Sequence, residues 1–225
     1  AYLPLLLRER CLPEQRRLDV VLVLDASLSM LEPAGGDAPP AALRTKLDAA
    51  REAARVFLDA LRLSPGAGQG QGVGDGDRAA IVAFNSAATL LSPLTADRAA
   101  LDAAIAAIAP APQTCIVCAV EAAAAELASG RRRADAAPVL ILLTDGRSNP
   151  QPVEQAVSRA QAAKAAGVRV YTIGLGTDLD EAALRQMASG PEAYHHAPTA
   201  AELTGIYRGI AVDIPCPAEV FWAGR

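Results

Sequence analysis

Two short stretches hold the side chains with the most chemistry to offer. Asp25-Ala26-Ser27-Leu28-Ser29 sets a carboxylate and two hydroxyls at alternate positions, and Thr144-Asp145-Gly146 supplies a second carboxylate far along the chain. Thr114 lies between them and adds a third hydroxyl. Two carboxylates and three hydroxyls, with no histidine, form a set of hard oxygen donors that suits Mg²⁺ over Zn²⁺. Each residue alone has a plainer reading: Ser27 and Ser29 as turn or capping residues, and Asp25 and Asp145 as acceptors for backbone amides.

These donors need elements that bring them together. Residues 18–24 form a near-continuous apolar run, as in a strand buried on both faces of a parallel sheet. Residues 79–84, 138–144 and 168–173 read the same way. Residues 87–91 suggest a short strand paired as a hairpin through Asn85-Ser86, and 193–196 a last short strand. Between them, Leu43, Leu47, Ala50, Ala54, Phe57 or Leu58, and Leu61 make one apolar stripe. Leu101, Ile105 and Ile108 mark a second helix, and Ile116, Val120, Ala124 and Leu127 a third. Pro152 opens a fourth, with Val153, Val157 and Ala160 facing inward and Gly167 closing it. Leu184 and Met187 mark a short helix. Thr199 with Glu202 reads as a capping box for a final helix bearing Leu203, Ile206 and Ile210.

Alternation of this kind predicts an α/β domain: a doubly wound, mostly parallel central sheet of about six strands, with one antiparallel edge strand and helices on both faces. In such sheets ligands collect beyond the carboxyl ends of the strands, where Asp25 and Asp145 fall. The domain is expected over 18–211, with flanks at 1–17 and 212–225. Residues 64–77 read as a Gly- and Gln-rich surface loop.

Composition narrows the function. Of 225 residues, 52% are apolar, so a largely disordered chain is excluded, and only 4% are aromatic, so Ala, Val, Leu and Ile must build the core. With 21 Lys+Arg against 25 Asp+Glu the net charge is −4, which argues against nucleic acid as a partner. No apolar run is long enough to be a transmembrane segment. The glycines at 66, 68 and 70 and at 174 and 176 lack the rest of a nucleotide-binding fingerprint. No Gly-x-Ser-x-Gly elbow marks Ser27 as a nucleophile.

Four cysteines allow three pairings. Domain termini often lie close together, so Cys11–Cys216 with Cys115–Cys118 is the natural arrangement. Four reduced thiols and a zinc site are the alternatives. Paired cysteines imply an oxidising compartment, hence a secreted or cell-surface protein, with any signal peptide outside these residues.

At Asp25-x-Ser27-x-Ser29, Thr114 and Thr144-Asp145-Gly146 the chain resembles the von Willebrand factor type A domains, over about residues 18–211. Those domains carry a metal-ion-dependent adhesion site built from these elements in this order. The resemblance implies a non-catalytic, metal-dependent protein-binding or adhesion module, with Ser27, Ser29 and Thr114 as direct ligands of Mg²⁺ (or Mn²⁺ or Ca²⁺). Asp25 and Asp145 would act through water or move between shells. A partner's Glu or Asp would complete the coordination, with Gln113 and Arg147 on the rim. Two features depart from the pattern. Pro112-Gln113 stands where the family usually has small residues, and residues 32–40 lengthen the connection after Ser29. Two alternatives stay open: a thiol–disulfide oxidoreductase using Cys115 and Cys118, and a cytosolic assembly factor with the same metal site serving an ATPase or chelatase.

Overall fold

The computed structural model describes residues 17–35, 44–63 and 76–214. The expected Cys11–Cys216 pair, the flanks except Arg17 and residues 212–214, and most of the Gly- and Gln-rich loop lie outside these residues.

The framework is a six-stranded sheet of β1 (Leu18–Asp25), β2 (Arg78–Phe84), β3 (Ala88–Thr95), β4 (Ala137–Thr144), β5 (Arg169–Leu175) and β6 (Tyr194–Ala197). The strand order is β3-β2-β1-β4-β5-β6. Only β3 runs antiparallel, at one edge. Every residue of β1 is buried, as its unbroken apolar run predicts for a central strand covered on both faces.

Six helices supply the cover: α1 (Lys46–Ala60), α2 (Arg98–Ala106), α3 (Ile116–Leu127), α4 (Val153–Ala165), α5 (Glu181–Met187) and α6 (Leu203–Asp213). One group has α1 packed against α2 and α6; the other has α4 between α3 and α5. Phe57 of α1 meets Tyr207 of α6 edge to face, with ring centroids 5.9 Å apart.

Several local expectations change. The hairpin strand continues past Leu91 to Thr95, because Pro93 sits on an edge strand, where a missing N–H costs no ladder bond. On α4, Ala156, Ala160 and Ala163 are buried while Val153 and Val157 are half-buried: the small side chains allow close helix packing. Thr199 and Glu202 do not form a capping box. Their side chains bond each other over 3.2 Å, and a 3-10 turn at Ala200–Glu202 precedes α6. A capping box does form at α1, where the Thr45 hydroxyl accepts from the Asp48 N–H and the Asp48 carboxylate accepts from the Thr45 N–H.

The chain leaves β1 toward β2 on one side, and β4 leads to β5 on the other. The carboxyl ends of the neighbouring β1 and β4 therefore form the crevice where strand order reverses.

Candidate metal centre

Asp25 is the last residue of β1 and Asp145 follows the last residue of β4, with Leu24 and Leu143 paired in register just before them. The fold thus brings together two carboxylates from distant parts of the sequence. Asp25 is fully buried and Asp145 nearly so.

Asp25 spends both oxygens on its surroundings. Oδ1 accepts from the Ser27 N–H over 2.7 Å, and Oδ2 accepts from the Thr144 hydroxyl over 2.6 Å. It ties the turn after β1 to the end of β4. Burial pushes its carboxyl up to about 6, with the nearby Asp145 charge adding to this; the bonds from Thr144 and Ser27 act the other way.

The turn that Asp25 holds runs into a 3-10 helix at Leu28–Leu31. It brings the Ser27 and Ser29 hydroxyls to 2.9 Å from each other. Ser29 Oγ donates to Asp145 Oδ1 over 2.7 Å, and Ser27 Oγ lies 3.5 Å from the same oxygen. Neither serine caps a helix through its side chain, so the capping reading fails, while the turn reading holds for both and Asp25 does accept a backbone amide. Thr114 is set by a two-way backbone bridge to Asn149, 3.2 and 3.0 Å. Its Oγ1 faces Gly146, 3.9 Å from where a Cβ there would stand. The structure therefore gathers Asp25, Ser27, Ser29, Thr114 and Asp145 at one end of the sheet.

Gln113 and Arg147 are exposed beside this cluster in the chain. Gln113 has φ +71°, a left-handed conformation that costs a residue with a Cβ and costs glycine nothing. Arg147 pairs with Asp178 over 3.0 Å at the surface. Cys115 and Cys118 are joined by a disulfide across the first turn of α3, directly after Thr114. Cys115 is fully buried.

Thr144, Lys46 and Glu32 contribute beyond the expected ligand set. The Thr144 hydroxyl holds Asp25, a role that the Thr144-Asp145-Gly146 motif did not assign to it. Lys46, the first residue of α1, brings Nζ to 2.9 Å from Asp145 Oδ2 and 2.7 Å from Glu32 Oε2. Burial pushes its ammonium down, but the bonds to Glu32 and Asp145 outweigh this and hold it above its ordinary value. A Thr45-x-x-Asp48 capping signature would have placed Lys46 at a helix start; nothing local ties it to Asp145, 99 residues on.

Among the described residues no three of His, Cys, Asp and Glu converge as a metal-binding group. The donor set here is instead two carboxylates with neutral hydroxyls, a composition that fits a hard, oxygen-seeking cation.

Comparison with known proteins bears on the family and the fold. Residues 19–208 match the von Willebrand factor type A domain model. A UPF0353 protein of Mycolicibacterium paratuberculosis is 36% identical over 170 residues, 72% of this chain and 45% of that protein, so this chain spans about half the length of that relative. Proximal thread matrix protein 1 from the mussel byssus, solved with a zinc-occupied MIDAS motif, superposes with a TM-score of 0.68 at 23% identity, covering 88% of this chain and 46% of that one. The vWF domain of the type V pili tip protein Mfa5 from Porphyromonas gingivalis gives 0.68 at 20% identity, covering 88% and 94%. At these identities the two structures are alike in fold. With a match running from the first strand into the last helix, this chain belongs to the von Willebrand factor type A domain family.

Proposed function

We propose that this domain is a non-enzymatic binding module that takes up an acidic side chain of a protein partner through a hard divalent cation, Mg²⁺ or else Mn²⁺ or Ca²⁺. The observation that carries the reading is the meeting of the Ser27 and Ser29 hydroxyls on one oxygen of Asp145. Ser27, Ser29, Thr114 and Asp145 would hold the cation, and Asp25 would keep the serine turn in place. A cation held mainly by neutral hydroxyls retains enough charge to bind a further carboxylate oxygen.

The chain's own residues do the positioning. Asp25 spans β1 and β4, so the two loops cannot drift apart without breaking buried hydrogen bonds. The Cys115–Cys118 disulfide and the Cys115 N–H, which donates to Asn85 O over 2.7 Å, hold the residue after Thr114 against the loop following β2. Leu28, Leu31, Gln113 and Arg147 are exposed and close in the chain to the site residues, and a partner would meet them first.

A disulfide next to the site supports export to an oxidising compartment, secreted or at the cell surface. Among the described residues no helix is long and apolar enough to cross a membrane. Full burial of Cys115 weighs against the oxidoreductase alternative, although the partly buried Cys118 leaves one sulfur nearer the surface.

Thermal unfolding with Mg²⁺ and with EDTA tests the reading. A cation that binds only the folded chain raises the melting temperature. Wild type is expected to gain several degrees in millimolar Mg²⁺, and Asp145→Asn to gain none. No gain in wild type, or an equal gain in the folded variant, overturns it.

A further inference from the structure

The two oxygens of Asp145 face different partners. Oδ1 takes the Ser29 hydroxyl, and Oδ2 takes the ammonium of Lys46. Lys46 reaches this place against two local preferences. It is the first residue of α1, where the positive end of the helix dipole disfavours a cation. Its side chain is only 17% exposed, although lysine ordinarily keeps its head group in water.

The surrounding backbone holds it there. The Lys46 N–H donates to Glu32 O over 2.9 Å, the Ala34 N–H donates to Arg44 O over 2.8 Å, and Pro33 bridges Thr45 in antiparallel fashion. The segment after the serine turn is thereby laced to the start of α1. Glu32 and Lys46 are side by side as a result, and their side chains meet at 2.7 Å. The contacts of residues 32–34 with the start of α1 thus set a tethered cation and its own counter-charge at a carboxylate of the site.

Resting on the metal-binding reading above, we propose that Lys46 sets the affinity of the centre for its cation: it is a built-in competitor for Asp145, and Glu32 is the alternative seat that lets it yield. A fixed positive charge in hydrogen-bond contact with Asp145 opposes a divalent ion drawing on the same carboxylate. Glu32 relieves that opposition, because the ammonium keeps a partner when Asp145 turns to the ion. Metal uptake is then coupled to the ion pair that joins the serine turn to α1.

Calorimetric titration with Mg²⁺ of wild type, Lys46→Met, Lys46→Gln and Glu32→Gln tests this, alongside melting in EDTA. Lys46→Met and Lys46→Gln should bind Mg²⁺ roughly tenfold more tightly. Glu32→Gln, which leaves Lys46 only Asp145, should bind about threefold more weakly. In EDTA, Lys46→Met should melt below wild type, since Asp145 stays buried without its counter-charge. Lys46→Gln retains a hydrogen-bond donor and serves if Lys46→Met does not fold. Binding by a Lys46 variant where wild type binds too weakly to measure also supports the proposal. Equal or weaker binding by both Lys46 variants, or tighter binding by Glu32→Gln, overturns it while leaving the metal site standing. If wild type and all folded variants ignore Mg²⁺, the metal reading itself fails and this inference with it.

Discussion

Ser29 donates its hydroxyl to Oδ1 of Asp145 over 2.7 Å, joining the turn after β1 to the loop after β4. The bond lies where strand order reverses, so it spans the crevice and belongs to neither wall. Ser29→Ala leaves Asp145 with Lys46 and the longer 3.5 Å approach of Ser27. The variant should fold and lose about 1 kcal/mol. Its melting temperature should respond to Mg²⁺ less than half as much as that of wild type, measured by calorimetric melts with metal and with EDTA.

Gln113 is the only non-glycine residue with positive φ among the described residues, and its side chain is exposed. Replacement by glycine removes the Cβ penalty but frees the unfolded chain, so the two effects oppose each other. Gln113→Gly should therefore be neutral to stabilising by up to about 1 kcal/mol. Gln113→Val, with a branched Cβ in the same conformation, should cost about 1–2 kcal/mol. Urea unfolding of both variants measures the contrast.

Glu126 is buried in α3, where it accepts from the Leu94 N–H of the edge strand over 2.8 Å and pairs with Arg131. The Arg131 hydrogen bond, aided by the Leu94 N–H, holds its carboxyl below the ordinary 4.5. A lowered acid contributes stability that is complete above its unfolded value and is lost as pH falls through the folded one. Glu126→Gln should cost about 1–2 kcal/mol at pH 7. The gap from wild type should narrow as pH drops below 4.5, read by urea unfolding at pH 7 and pH 3.

The Cys115–Cys118 disulfide closes a very short loop at the start of α3. Chain entropy for such a loop amounts to about 2 kcal/mol. The double variant Cys115→Ser with Cys118→Ser should lose up to that amount in urea unfolding. Because Cys115 follows Thr114, the variant should also bind Mg²⁺ more weakly in a calorimetric titration.

Much of this architecture could be read from residue patterns. The unbroken apolar run at 18–24 has one good solution, a strand covered on both faces, and it became the fully buried β1. Alternation of strands and helices then implied parallel pairing and a site at the carboxyl ends. The pattern misled where local signals competed with sheet context. The strand expected over 87–91 runs on through Pro93 to Thr95 at the sheet edge, and the Thr199 and Glu202 side chains found each other before they found the backbone.

The amino-acid order by itself determined the donors: which residues carry oxygen, that no histidine stands among them, and that each follows a strand or opens a helix. Tertiary structure decided their arrangement. Asp25 meets Thr144 only because β1 and β4 lie side by side, and Asp145 meets Lys46 only because the chain after Ser29 is pinned to the start of α1. Contacts between residues a hundred positions apart leave no local periodicity to read. They arise from strand order and loop path, which the whole core selects together.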